Sequence, residues 1–265
     1  MTDWIRGIAA VTFDFGNTLV PVRRDDLGRA VQLTVDAVVG RSGPITPEAF
    51  LAAWAEERER QFAEEVPAFR EVDIGQRFVR VFARMRGMAA PPPDERWDDE
   101  AAATRSNPAE IDAAVETYVG CFVAALPPPP DVAALLAALA FRYRLGVLSN
   151  WPLAAAIDRY VEAAGWAPYL RAIVVSQRVG TIKPHLAIFR ATEQALEGVA
   201  PGVILQVGDD WLGDVVGAKR AGWRAAFLRA RPDGSPLPSS ERDDEVEPDL
   251  ELDRLTDLGT ILLPG

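Results

Sequence analysis

Asp14 stands at the carboxyl end of the apolar run Ile8 to Phe13 and is followed at once by Phe15-Gly16-Asn17-Thr18-Leu19. A carboxylate in that position can act as a nucleophile, because ligands of an open α/β sheet bind in the crevice outside the strand ends. Asp, Gly and Asn also favour an Asx-type turn, so the motif takes its meaning from the rest of the chain. Three further stations come in order. Leu145 to Leu148 is a strand-like run ending in Ser149-Asn150, a hydroxyl and an amide suited to hydrogen-bonding a phosphate oxygen. Lys183-Pro184 lies in a loop after Ala172 to Val175. Val203 to Val207 then runs into Gly208-Asp209-Asp210, with Asp214 beyond. The strand ends thus offer a carboxylate, a hydroxyl, an ammonium and a carboxylate cluster.

This ordered set resembles the motifs of the haloacid dehalogenase superfamily. Asp14 to Leu19 is similar to the first motif, Ser149-Asn150 to the second, and Lys183-Pro184 with Ile188-Phe189 to the third. Gly208-Asp209-Asp210 through Asp214, continuing into Gly217-Ala218 and Ala221-Gly222, is similar to the fourth. The resemblance runs from Ile8 to Leu263, except that the segment between the first two motifs matches only in length and helical character. It implies an α/β fold with a Rossmann-like parallel sheet core and an inserted α-helical cap domain.

On that resemblance Asp14 is the expected nucleophile, attacking phosphorus in line to give an aspartyl-phosphate that water later hydrolyses. Two anions meet in that step, so a cation must stand between them. Mg2+ held by Asp14, Asp209 and the backbone carbonyl of Gly16 fits the need. Lys183 is expected to balance the carboxylates and hold the phosphoryl group, and Ser149 to bind its oxygens. Substrate contacts are expected from the backbone after Asp14, at Phe15, Gly16, Asn17 and Thr18, and from Asn150 and Arg24, the last because guanidinium pairs with anions bidentately. Asp214 is expected to orient Lys183 or a metal-bound water, with Asp210 either beside it or simply a turn residue.

Gly16 departs from the family pattern. Relatives that hydrolyse phosphate esters usually carry a second aspartate there, which protonates the leaving oxygen and then activates water, help worth about 10²–10⁴-fold. Several readings stay open. A magnesium-dependent phosphatase acting on an easily departing group, an acyl or aryl phosphate, keeps every other motif in use. A dehalogenase needs no acid, since halide leaves unprotonated, but dehalogenating relatives usually lack the pattern kept at Gly208-Asp209. A phosphonate hydrolase needs a lysine in the cap, and the chain's only lysines are Lys183 and Lys219. A non-catalytic binding protein would retain the anion site alone. The phosphatase is the expectation, with a small anionic substrate such as a phosphorylated metabolite, and Gly16→Asp is expected to restore the missing acid.

The elements that position these residues can be read from pattern and composition. At 265 residues the chain is long enough for one α/β core and a smaller inserted domain. The core is expected at residues 1–19 and 128–265, the cap at 20–127. Within the cap, Thr46-Pro47-Glu48 and Asn107-Pro108-Ala109-Glu110 read as helix starts, and 89–99, with its three consecutive prolines, as a loop. After Ser149 helix and strand alternate, which predicts a parallel sheet with right-handed crossovers. The polar segment 231–247 reads as a surface loop, and Leu250 to Leu263 as a closing element.

A net charge of −11 argues against a nucleic-acid partner, because phosphate backbones need a basic surface. No apolar run is long enough to span a bilayer and no secretory signal pattern is visible, so no membrane partner and a cytoplasmic location are expected. Cys121 is the single cysteine and reads as a buried small hydrophobe; His185, the single histidine, reads as a helix-start residue. Neither can build a zinc site, and a serine hydrolase with a histidine base is a poor option.

Overall fold

The computed structural model describes residues 3–39, 46–87, 107–242 and 245–263; the proline-rich 89–99 stretch lies outside them. Ala10, Val11, Thr12 and Phe13 are all buried, which makes β1 (Ala10–Phe13) an interior strand. Strands covered on both faces carry consecutive apolar residues rather than an alternation, and the same holds for β2 (Arg144–Ser149) and β4 (Ile204–Gly208). With β3 (Leu170–Val175), β5 (Arg224–Leu228) and β6 (Leu250–Leu252) they form one parallel sheet in the order β3-β2-β1-β4-β5-β6.

The chain moves outward from β1 to β2 and β3, then returns to the other side of β1 for β4, β5 and β6. That reversal is the point where open α/β sheets leave a crevice at their carboxyl ends. Register fixes what lines it. Phe13 pairs with Val147 on one side and Val207 on the other, so Asp14 emerges beside the ends of both neighbouring strands. The fold is the Rossmann-like α/β sheet that the alternation predicts.

Several elements differ in detail from the sequence pattern. The apolar run from Ile8 becomes strand only at Ala10. The helix that the alternation predicts after β4 is a π-helical segment, Trp211–Val216, followed by a short α-helix, Gly217–Arg220. The closing element is a three-residue strand, β6, and a helix, Asp257–Leu262.

The chain divides into two compact units, one made of Met1–Arg24, Phe69–Glu71 and Leu126–Gly265, the other of Asp25–Ala68 and Val72–Ala125. Residues 69–71 join the first unit because Ile182 N and Thr181 Oγ1 donate to the Phe69 carbonyl at 3.0 and 2.9 Å. The second unit is helical among its described residues. Its helix Pro47–Glu65 begins where Thr46 Oγ1 accepts from Ala49 N at 3.2 Å, and Ile74–Met85 begins where Asp73 caps Gln76 N at 2.9 Å. These helices and Pro108–Ala125 close on Phe50, Trp54, Phe78, Phe82, Tyr118 and Phe122, with Trp54 and Phe78 edge-to-face at 4.9 Å. Cys121 is half-buried on the last helix rather than buried.

Candidate active site

The turn after β1 is built by its own backbone. Asp14 N donates to Val207 O at 2.9 Å, tying the loop to β4. Asn17 N donates to Val20 O at 2.7 Å, and Leu19 N and Val20 N both donate to Phe15 O, so none of these bonds uses the Gly16 carbonyl. Asn17 adopts a left-handed conformation (φ 58°), which asparagine tolerates better than most residues. Its side chain bridges the site: Nδ2 donates to Asp209 Oδ2 at 3.2 Å while Oδ1 accepts from Val22 N at 3.2 Å. Thr18 Oγ1 donates to Asp209 Oδ1 at 3.4 Å. The side chains of Asn17 and Thr18 therefore position Asp209. Phe15 points into the core, edge-on to Trp151 and Tyr160 at 5.5 and 5.1 Å.

Lys183 is the hub on the opposite side. Its Nζ donates to Asp14 Oδ1 at 2.9 Å, to Asp214 Oδ1 at 2.6 Å and to the Leu148 carbonyl at 3.0 Å, using all three of its donors. Asn150, expected to touch substrate, instead clamps the lysine backbone: Lys183 N donates to its Oδ1 at 2.7 Å and its Nδ2 donates to Lys183 O at 3.1 Å. Both ends of that amide are thereby occupied. Ser149 ends β2 buried, 1% exposed, and its hydroxyl has no hydrogen-bond partner among the described residues. A buried orphan hydroxyl carries a desolvation cost that an arriving acceptor oxygen would relieve.

Asp214 is carried by the π-helical segment, an irregularity frequent at functional sites. Its carboxylate accepts from Lys183, from Gln206 Nε2 at 2.8 Å and from Asp210 N at 3.1 Å, and it lies so close over Gly208 that a side chain there would collide with it. Asp210 is the cap of that segment, accepting from Gly213 N at 2.7 Å, and from Ser240 N and Oγ at 2.7 Å each. It therefore serves the turn rather than the reacting centre.

Carboxylate oxygens of Asp14, Asp209 and Asp214 lie within 4.8 Å of one another. Burial pushes Asp209 up to about 6, reinforced by the Asp14 charge and opposed by Arg231, Asn17 and Lys183. Burial likewise raises Asp214, against the pull of Lys183. Burial alone would lower Lys183, but the Asp14 and Asp214 carboxylates outweigh it and hold the ammonium above its ordinary range. With three donors on its oxygens, Asp214 is best described as the ionised partner of that ammonium. Three carboxylates facing Lys183 and Arg231 leave an excess of negative charge, and every donor atom is a hard oxygen. That donor set suits Mg2+, with Asp14, Asp209 and the Gly16 carbonyl as the residues that would hold it.

Two parts of the site were missed by sequence reasoning. Gln206 and Thr12 form a buried relay behind Asp214, Thr12 Oγ1 donating to Gln206 Oε1 at 2.5 Å across the β1–β4 register. The signal was a lone amide within the apolar run of β4. Arg231 is the other: its Nη1 lies 2.7 Å from Asp209 Oδ2, while Nη1 and Nη2 reach the Leu237 and Pro238 carbonyls of its own segment. The 231–240 stretch is irregular, as its composition predicts, but it reaches the reacting centre rather than lying idle on the surface. Leu237 sits where a side chain on Gly16 would go, and a Cβ there would also lie 3.2 Å from the Trp151 ring. Arg23 and Arg24 are exposed, and no hydrogen bond joins either to the site among the described residues. His185 caps the helix Leu186–Ala195, its Nδ1 accepting from Ala187 N at 3.2 Å.

Known proteins resemble this chain over part of its sequence or in its fold. Over 107 residues the chain is 36% identical to the phospholysine phosphohistidine inorganic pyrophosphate phosphatase of Homo sapiens, covering 40% of this chain and 36% of that protein. It is 27% identical over 123 residues to a pyrimidine 5'-nucleotidase of Escherichia coli, covering 45% of this chain and 54% of the relative. The matches thus span about a third to a half of these relatives. In fold, the crystal structure of a 2-haloacid dehalogenase from Pseudomonas syringae superimposes with a TM-score of 0.65 at 22% identity, covering 96% of this chain and 98% of the other. The pattern of haloacid dehalogenase-like hydrolases matches residues 8–222, from just before β1 to just past the helix Gly217–Arg220, and the chain belongs to that family of hydrolases.

Proposed function

We propose that the protein is a magnesium-dependent phosphatase that transfers the phosphoryl group to Asp14 and then to water. The observation that carries this reading is the close set of Asp14, Asp209 and Asp214 carboxylates, whose charge Lys183 and Arg231 only partly offset. When bound, Mg2+ would screen the nucleophile from the anionic substrate and polarise a phosphoryl oxygen. The residues do the rest. Ser149 receives a phosphoryl oxygen, an Asp14 oxygen forms the bond to phosphorus, Lys183 turns the donor it had spent on Asp14 toward another phosphoryl oxygen, and the leaving group departs with its electron pair. Water then attacks phosphorus and breaks its bond to Asp14, the water's proton leaves to solvent with the released phosphate, and the Asp14 carboxylate returns. Orienting Lys183 falls to Asn150, Asp214 and Gln206.

The leaving-group side sets the substrate class. Gly16 supplies no acid, and Leu237 and Trp151 fill the space next to it with apolar surface. A leaving group that needs no proton, as in an acyl or aryl phosphate, suits such a wall. A second reading, dehalogenation of a 2-haloacid, is favoured by that same apolar wall and by the Arg231 guanidinium against Asp209, since halide leaves without a proton and without a metal.

Turnover of an aryl phosphate and of a 2-haloacid, each with magnesium and with chelator, separates the two. Magnesium-dependent release of phosphate, lost in Asp209→Ala, is the expected result. Chelator-resistant halide release with no phosphate release would establish the second reading, and neither activity would leave the chain a binding protein.

A further inference from the structure

We propose that Arg231 is a resident counter-cation of Asp209 which a divalent metal must displace, so that residues 231–240 form a strap released by metal loading. The proposal rests on the reading of Asp209 as a metal ligand and concerns how that site is regulated.

The strap is fastened at separate points to the two loops that carry Asp14 and Asp209. Arg231 Nη1 donates to Asp209 Oδ2 at 2.7 Å, and Ser235 Oγ donates to Asn17 Oδ1 at 3.2 Å. Ser240 N and Oγ donate to Asp210 Oδ1 at 2.7 Å each, and Ser240 Oγ accepts from Leu212 N at 2.6 Å. Between these fastenings Leu237 lies over Gly16. The same guanidinium that grips Asp209 also holds the segment's own bend, through the Leu237 and Pro238 carbonyls. Losing Asp209 as a partner therefore loosens the grip on the residues that cover Gly16.

A cation arriving at Asp209 competes with Arg231 in two ways. It takes a lone pair that the guanidinium uses, and it brings a second positive charge against the first across one carboxylate, where burial weakens screening. Arg231 can leave, because its side chain is 22% exposed and sits in an irregular segment, whereas Asp209 is buried and fixed by Asn17 and Thr18. The metal therefore displaces the arginine rather than the reverse, and the space beside Gly16 opens on the metal-loaded protein.

The test is calorimetric titration of the full chain with magnesium chloride, parent against Arg231→Gln, alongside amide hydrogen exchange of the parent with and without magnesium. The expected result is at least ten-fold tighter magnesium binding in Arg231→Gln, together with faster exchange across 231–240 when magnesium is added to the parent. Unchanged or weaker affinity in a cooperatively folded Arg231→Gln protein overturns the proposal and leaves the metal-dependent reading standing. If that variant does not fold, the parent alone decides: slower or unchanged exchange across the strap on saturation overturns the proposal. Absence of magnesium binding in both proteins overturns the proposal and the reading beneath it together.

Discussion

Lys183 and Arg231 neutralise the same carboxylate cluster from loops built on different principles. The lysine side chain is 3% exposed, its backbone is clamped on both sides by Asn150, and its ammonium spends every donor on Asp14, Asp214 and a strand-end carbonyl. The arginine side chain is 22% exposed, comes from a segment without regular structure, and divides its donors between Asp209 and carbonyls of its own loop. One cation is part of the sheet's carboxyl edge; the other leans on it. A site that must bind an anion and also exchange a cation needs this asymmetry, since the fixed charge preorganises the first task and the loose one leaves room for the second.

Replacing the carboxylate that Lys183 grips and that would attack phosphorus gives the largest effect. Asp14→Asn keeps the shape of the side chain but removes its nucleophilicity, so turnover should be abolished while the melting transition stays cooperative. Activity above about one tenth of the parent would assign the attack to another group, on the scale of losses expected for a missing nucleophile.

The two cations should differ most clearly in stability. Removing Lys183 strands the buried Asp214 and the half-buried Asp14, and breaking a buried pair from one side costs about 3–5 kcal/mol. Arg231→Ala breaks a partly exposed pair, for which about 1 kcal/mol or less is ordinary. Urea unfolding of Lys183→Ala and Arg231→Ala in chelator measures both. Equal losses would mean that the strap is as integral to the fold as the lysine.

Legibility in the sequence divides along the same line. Asp14 and Asp209 were readable because each directly follows an apolar strand run, and Lys183 because it lies in the connection after one; strand ends in a parallel sheet converge on one crevice. Asn150 was assigned to substrate because an amide beside Ser149 suits a phosphate; its engagement with Lys183 depends on how two loops fold together, which spacing does not encode. The Thr12–Gln206 relay needs β1 and β4 to pair in register across more than half the chain. Arg231 and Leu237 lie in a stretch whose composition predicts irregular structure, and no periodicity says which side chains of such a stretch turn inward.

Gly16 sharpens the comparison on the strap's side. A restored acid there is worth up to about 10²-fold or more on an alkyl phosphate if space exists for it. In the metal-free protein the side chain would collide with Leu237 and press on Trp151, so Gly16→Asp should lose about 1–3 kcal/mol of stability in chelator, and Leu237→Ala should recover it. With magnesium bound and the strap released, the single variant should gain ten-fold or more on alkyl phosphates, on the order of general-acid effects. A gain that appears only when Leu237→Ala is added would show that the strap still covers Gly16 during turnover.

The charge balance of the cluster is tested by the pH dependence that Asp209 imposes on the metal-free protein. Burial and the neighbouring Asp14 charge raise its carboxyl to about 6 despite the pull of Arg231. A raised value means that the folded state holds the proton more tightly than the unfolded chain, whose carboxyl titrates near 4. The associated stability is therefore fully present below about pH 4 and is lost as pH rises through about 6, a change of about 3 kcal/mol for a shift of about two pKa units. Other carboxylates titrate over the same range, so the comparison must be internal. Urea unfolding in chelator at pH 5 and pH 7.5 should show a fall with rising pH that is larger in the parent than in Asp209→Asn, where the group cannot ionise. Arg231→Gln should enlarge the fall, because it removes the cation that favours the ionised form. Parallel pH dependence in parent and Asp209→Asn would mean that Arg231 already holds Asp209 ionised throughout, and the two cations would then be equal partners of the cluster.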